Sequence, residues 1–162
     1  MNRLSSFILI AILFACESKK SSENVEEKTQ LPLNKQLVGT WQNLALHVTM
    51  KRDSSDSVMV VPEGKWEEIL KIKPIETTFR EEGTYTSIYK SLSGQVMMTT
   101  EGTWSIDADT LMMTQNGITN SYHTTIEENV VTFKGVLDWD EDGENDDYYE
   151  GTQEKISTKE GI

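Results

Sequence analysis

The stretch that decides the fold runs Glu101-Gly102-Thr103-Trp104-Ser105-Ile106-Asp107-Ala108-Asp109-Thr110-Leu111-Met112-Met113-Thr114. Trp104 and Ile106 alternate with polar residues, which is the period of a strand with one buried face. Asp107-Ala108-Asp109 consists of turn-forming residues, and the alternation resumes at Leu111 and Met113. The stretch therefore predicts a β-hairpin.

The same alternation recurs on both sides of this hairpin. Asn116-Gly117 predicts a second tight hairpin turn, because both central positions of a type I′ turn require positive φ. Residues 66–73 are too short to distinguish helix from strand by periodicity, and we favour a strand there. We predict an all-β fold: an antiparallel up-and-down meander of about eight strands, closed into a barrel. An open β-sandwich is the alternative.

The N terminus carries a targeting pattern. A single basic residue, Arg3, precedes an apolar run over residues 7–15, which is typical of a secretory signal and too short to span a membrane. The run ends in Leu13-Phe14-Ala15-Cys16, which resembles the lipobox of bacterial lipoproteins. The resemblance implies removal of residues 1–15 and attachment of fatty chains such as palmitate to Cys16. Retention of an uncleaved signal, or cleavage elsewhere to leave a free thiol, is the alternative.

Residues 16–36 are expected to form a flexible tether. Serine, lysine, glutamate and asparagine dominate this segment, which has too little apolar surface to fold. The folded domain is predicted to cover residues 37–158. Several acyl chains anchor a protein stably, so we expect a lipid-anchored protein of the cell envelope, held at the outer membrane.

The charge balance narrows the range of partners. The 162 residues include 27 acidic and 15 basic side chains, giving a formal net charge of −12. Nucleic-acid binding is not expected, because it requires lysine and arginine to neutralise phosphates. The charge is instead consistent with a soluble domain held on a tether. We expect a monomer.

Two segments carry a family resemblance. Leu37-Val38-Gly39-Thr40-Trp41 resembles the Gly-x-Trp start of the first lipocalin strand, and residues 101–106 followed by Leu111 resemble lipocalin-like domains of small bacterial lipoproteins. Lipocalins pack an arginine near the last strand on the first tryptophan, whereas the final predicted strand here offers only Lys155. The resemblance implies a barrel of the class that carries small apolar ligands.

The predicted inward faces supply methionine and aromatic side chains, which suit an adaptable apolar pocket. The candidate ligand-binding residues are Tyr85, Met98, Trp104, Met113, Tyr122 and Phe133. The alternative is that these residues fill the core, as in small barrels. The protein would then be a structural or protein-interaction module of the envelope.

Catalytic chemistry is not expected. The single cysteine, Cys16, lies outside the predicted domain, and His47 and His123 have no supporting motif. Phosphate-binding loops and dinucleotide fingerprints are missing from the sequence, so no organic cofactor is predicted. We interpret the protein as a non-enzyme.

One acidic segment has the spacing of a calcium loop. Calcium requires six to eight hard oxygen ligands, and alternate acidic side chains followed by a glycine at the sixth place begin an EF-hand-type loop. Gly143 takes the sixth place, while Tyr149 stands where the bidentate Glu would be. The predicted ligands are Asp138, Asp140, Asp142, Glu144 and Asp146. The alternative is a solvated acidic turn without a metal.

Overall fold

A computed structural model describes residues 31–156 of the protein. Two short helices and nine strands make up this part of the chain. Their bounds are α1 Leu33–Leu37, β1 Gly39–Met50, β2 Ser57–Val61, α2 Trp66–Leu70, β3 Glu76–Phe79, β4 Thr84–Lys90, β5 Val96–Asp107, β6 Thr110–Gln115, β7 Ile118–Glu127, β8 Val130–Leu137 and β9 Asp147–Lys155.

The strands form one antiparallel sheet that closes on itself. Consecutive strands from β3 to β9 are neighbours, and β1 pairs with both β3 and β9. Closure therefore involves eight strands, which leaves this ring without a free edge. β2 is additional: it pairs with the second half of β1, whereas β3 pairs with the first half.

The predicted barrel is confirmed, and the open sandwich is wrong. The deciding hairpin has strands β5 and β6 in register, with Trp104 opposite Met113 and Ile106 opposite Leu111. Both residues of the Asn116-Gly117 turn have positive φ, at 51° and 83°. Here short-range sequence preference and the overall topology agree.

One end of the barrel is filled and closed. Leu37, the last residue of α1, is fully buried in a cluster with Trp41, Phe79, Trp104 and Leu111. The indole Nε1–H of Trp41 donates a hydrogen bond of 2.6 Å to the carbonyl of Leu37. This bond fixes the short helix against the start of β1.

The closing strand contributes a cation at the same end. Lys155 Nζ lies 5.1 Å from the ring centroid of Trp41 and donates a 2.8 Å hydrogen bond to the carbonyl of Gln36. A cation over an indole face is an attractive arrangement. Lys155 therefore connects the end of β9 to Trp41 of β1 and to the end of α1.

The strand interpretation of residues 66–73 is wrong over its first half, because Trp66–Leu70 is the helix α2. Trp66 and Leu70, four residues apart, both face the barrel interior. The helix ends at Lys71, which has a left-handed φ of 59° and donates its N–H to the carbonyl of Glu67.

The expected tether and the described chain overlap at residues 31–36, and α1 occupies the end of this overlap. Cys16, the signal segment 1–15 and most of the expected tether lie outside the described residues. Within residues 31–156, none of the helices is long and apolar enough to cross a membrane.

Candidate functional site

The barrel encloses a cavity of about 970 Å³ at the end opposite α1. Its lining includes exposed residues of the β6–β7 and β8–β9 connections, among them Asn116, Gly143 and Asn145. These residues place the mouth of the cavity at that end of the barrel. The volume is within the range of about 300–1,000 Å³ that is usual for small-molecule sites.

Aromatic rings follow one side of the cavity from its mouth towards the filled core. Trp139 stacks on Tyr149 with ring centroids 5.4 Å apart, and Tyr149 meets Tyr122 edge-on at 5.6 Å. Tyr122 in turn contacts Phe133 at 6.2 Å. Burial raises the pKa of Tyr122 to about 12 and also raises the pKa of Tyr149. These phenols are therefore neutral across physiological pH.

Four of the six residues proposed from sequence line the cavity: Tyr85, Met113, Tyr122 and Phe133. Trp104 belongs instead to the closed-end core, where its Nε1–H donates to the carbonyls of Arg80 and Thr84. Met98 is 48% exposed, because it lies near the outer end of β5, beyond the wall of the cavity. The alternation of polar and apolar residues indicates on which face of the sheet each residue lies, but not its position along the barrel axis.

The cavity wall also contains polar groups that were not proposed from sequence. The buried side chains of Asn43, Thr77, Ser87 and Gln153 line it, and the hydroxyls of Thr77 and Ser87 are hydrogen-bonded at 2.9 Å. The signal was present in the sequence as polar residues at inward positions of alternating strands. Hydrophobic alternation selects the apolar members of an inward face and passes over these polar ones.

Two buried polar atoms of cavity-lining residues have no protein hydrogen-bond partner. They are Trp66 Nε1, in a side chain 4% exposed, and Gln153 Oε1, in a side chain 8% exposed. One is a donor and the other an acceptor. Buried polar groups in folded proteins are nearly always paired, so these atoms mark where a bound molecule would find hydrogen bonds.

Charged side chains in the cavity lining are acidic. Asp138 and Glu141 contribute to the lining near the mouth, and the described lining includes no lysine, arginine or histidine. A negative potential at the entrance follows from these two carboxylates and the rest of the acidic β8–β9 connection. The site therefore has no cation with which to pair an anionic ligand.

The acidic connection is organised around Asp147, which sequence analysis did not propose. Asp147 is 1% exposed, and its carboxylate accepts hydrogen bonds from the backbone N–H groups of Lys51 (2.8 Å), Trp139 (2.8 Å) and Asp140 (3.1 Å). Burial acts to raise the pKa of Asp147, but these three donors and the Arg52 guanidinium outweigh it and hold the pKa below its ordinary value of 3.8. The charged carboxylate thus joins the β1–β2 and β8–β9 connections.

The carboxylates that converge differ from the set proposed by spacing. Among residues 31–156, oxygens of Asp138, Asp140 and Asp147 lie within 4.8 Å of one another, and Oδ1 of Asp138 and of Asp140 is buried without a protein partner. The other three proposed ligands, Asp142, Glu144 and Asp146, are exposed and do not belong to this group. Arg52 approaches Asp140 at 3.6 Å and relieves part of the repulsion.

The two histidines do not share a site in the described structure. His123 Nδ1 lies 3.1 Å from Asp109 Oδ2 at an exposed position. His47 meets the ring of Tyr148 at 6.1 Å and is next to Val60, an exposed residue of β2. Both histidines are on the outer surface of the barrel, away from the cavity lining.

Comparison with known proteins adds no assignment. None of the models of known protein families matches the chain, and a comparison with curated proteins finds no significant similarity.

Proposed function

We propose that the protein is a lipid-anchored envelope protein whose barrel binds a small, largely apolar molecule. The observation that carries the proposal is the open cavity of about 970 Å³, lined by Tyr85, Met113, Tyr122 and Phe133. A barrel with a filled interior would not have this volume, so the cavity favours a binding protein over a purely structural module. We propose a non-enzyme, because the sequence has no catalytic motif and the described cavity lining has no histidine or cysteine.

The anchor is proposed on the sequence pattern alone. The apolar run before Leu13-Phe14-Ala15-Cys16 supports lipid attachment at Cys16, and the outer membrane is the location that we propose for the lipid-anchored protein. Metabolic labelling with palmitate tests it: the wild type should incorporate the label, and Cys16→Ser should not. Wild-type protein without label would refute the anchor and leave the binding proposal standing.

Binding is tested by blocking the cavity from one strand. Thr100 lines the cavity and its neighbour Thr99 is exposed on the outside of β5. Thr100→Phe should reduce binding of a neutral fluorescent apolar probe such as N-phenyl-1-naphthylamine severalfold or more, because the ring fills cavity volume. Thr99→Phe adds the same ring to the outer face and should bind like the wild type. Equal binding by both variants would place the probe outside the cavity.

Native mass spectrometry of protein isolated from its own host is the direct test for a ligand. We expect a bound species with a mass of a few hundred daltons that is lost in Thr100→Phe and retained in Thr99→Phe. A ligand retained equally by both variants would contradict a site inside the barrel.

A second proposal is calcium binding at the acidic connection, supported by the convergence of Asp138, Asp140 and Asp147. Calcium prefers carboxylate oxygens, and water or backbone carbonyls would complete its six to eight ligands. An affinity of about 10⁻⁴–10⁻³ M is expected, as in extracellular modules.

Trp139 follows Asp138 directly and serves as a reporter of calcium binding. Millimolar calcium should raise the melting temperature and change the Trp139 fluorescence. Asp140→Asn should abolish both responses, whereas Asp142→Asn should retain them, because Asp142 is outside the converging group. Wild-type protein that does not respond to millimolar calcium would refute the site.

A further inference from the structure

The cavity has a feature that a purely apolar ligand leaves unused. Trp66 Nε1–H and Gln153 Oε1 are buried in its wall without protein partners. Leaving such a group unpaired when water is displaced costs the full free energy of removing that group from water. A hydrocarbon that filled the cavity would isolate both atoms. A molecule that carries its own acceptor and donor would pair them.

The charge of the ligand is constrained separately. An anionic headgroup placed inward would be buried in a lining whose described residues include no cation. Placed outward, it would meet Asp138 and Glu141 at the mouth. Burying an unpaired charge and placing like charges together are both unfavourable. Either orientation therefore disfavours a carboxylate, phosphate or sulfate on the ligand.

The buried polar side chains in the wall, away from the mouth, are uncharged. Asn43, Thr77, Ser87 and Gln153 are all buried, and Asn43 is directly opposite Gln153 in the β1–β9 ladder. These amides and hydroxyls hydrogen-bond neutral groups and offer no net charge. The aromatic row from Trp139 to Phe133 gives an alkyl chain or ring an apolar surface beside them.

We propose that the cavity selects a neutral amphiphile, whose apolar body is joined to an uncharged group that both donates and accepts a hydrogen bond, such as a hydroxyl or a primary amide, and that it discriminates against fatty-acid anions. This inference rests on the proposed binding function. It adds the chemical class of the ligand and names Trp66 and Gln153 as the residues that recognise it.

The test uses the full chain and three compounds with the same twelve-carbon chain, each displacing the neutral fluorophore N-phenyl-1-naphthylamine. Dodecan-1-ol both accepts and donates a hydrogen bond, 1-methoxydodecane only accepts one, and dodecanoate is an anion. Dodecan-1-ol should bind about tenfold more tightly than the ether, which cannot pair Gln153 Oε1. Dodecanoate should bind at least about 30-fold more weakly than the alcohol.

Two variants assign the recognition to individual atoms. Gln153→Met has nearly the same volume but lacks the acceptor, so it should remove most of the preference for alcohol over ether. Trp66→Phe keeps an aromatic ring but lacks the N–H, so it should weaken the binding of the alcohol and of the ether by a similar factor. Gln95→Met, at an exposed position between β4 and β5, is the control and should leave the ranking unchanged.

The outcomes separate this inference from the proposed function. Fluorophore binding with the expected ranking, altered as described in the two variants, supports both. Fluorophore binding with dodecanoate equal to the alcohol, or a ranking unaffected by Gln153→Met and Trp66→Phe, overturns the neutral amphiphile and retains a cavity ligand. No fluorophore binding in the wild type, with a folded barrel by circular dichroism, overturns the binding function itself.

Discussion

Asp147→Asn should destabilise the barrel more than its conservative appearance indicates. The carboxylate accepts three backbone N–H groups, one at Oδ1 from Lys51 and two at Oδ2 from Trp139 and Asp140. An asparagine has one acceptor oxygen, so its NH₂ group must face at least one of these donors. Each hydrogen bond to a charged group is worth roughly 1.5–3 kcal/mol.

The expected loss in the free energy of unfolding is about 2–4 kcal/mol, since at least one such bond is lost and a buried donor is left unpaired. For a domain of this size, this corresponds to a melting temperature lower by roughly 8–15 °C. Urea unfolding should show a lower midpoint with an unchanged m-value, which indicates a change in stability rather than in the unfolded state. EDTA in the buffer removes any contribution from calcium.

The pH dependence gives the sign of the effect independently. Because the pKa of Asp147 is lowered on folding, its stabilisation is fully present above the ordinary pKa of 3.8 and is lost as the pH falls through the lower folded value. The difference between wild type and Asp147→Asn should therefore be constant near neutrality and shrink below about pH 4.

Glu101→Gln is the matched control, because it removes one negative charge by the same amide substitution at an exposed position on β5. It should change the free energy of unfolding by less than about 0.5 kcal/mol. If Asp147→Asn and Glu101→Gln have the same urea midpoint, the carboxylate of Asp147 does not hold the two connections together and the reasoning is refuted.

Three further outcomes are expected. Gly102→Ala should lower stability by about 2–4 kcal/mol by urea unfolding, because a Cβ there would contact the carbonyl of Thr114 and the Tyr85 ring, whereas Ser105→Ala on the exposed face should be nearly neutral. Lys155→Met should lower the free energy of unfolding by about 1–2 kcal/mol, because it removes the cation over Trp41, and Lys155→Arg should be destabilised much less. An equal loss of stability in both variants would assign the effect to packing alone. In a spectrophotometric titration, Tyr122 should ionise near pH 12 or together with unfolding, because its raised pKa means that ionisation above pH 10 favours the unfolded chain; a Tyr122→Phe variant with an unchanged alkaline titration would contradict this.

The fold was predictable where local chemistry and topology agree. The alternation around Trp104 and the two positive-φ residues Asn116 and Gly117 specify hairpins, and consecutive hairpins can close without long connections. The helix α2 was missed because its one turn has only Trp66 and Leu70 at helical spacing on the buried side, which a half-buried strand also permits over so short a segment.

The site was predictable in kind but not in detail. The alternation of polar and apolar residues correctly predicts that Tyr85 and Tyr122 point inward. It does not predict where Trp104 and Met98 lie along the barrel axis, because that position depends on how neighbouring strands are staggered, and the sequence of one strand does not contain this information. Asp147 could not be told apart from the other acidic residues of its segment by sequence. It is buried because the pairing of β8 with β9 begins at this residue.

The wall of the barrel differs in how it is held together near β2, because this strand pairs with β1 only over five residues. Within the described chain, β2 has a ladder with β1 only, and α2 covers the adjoining wall with Trp66 and Leu70. The helix is attached on both sides, by the Lys65 N–H to Pro62 carbonyl bond before it and by the single β-bridge of Ile72 with Ser91 and the Lys73 N–H to Lys90 carbonyl bond after it. Moving α2 outward would disrupt side-chain packing but no ladder between the strands of the closed ring, so we expect this segment to open at a lower free energy than the paired strands β5 to β8. Its amides should exchange with solvent ahead of those in β5 to β8, and such an opening would give a molecule held in the barrel a second way out beside the mouth.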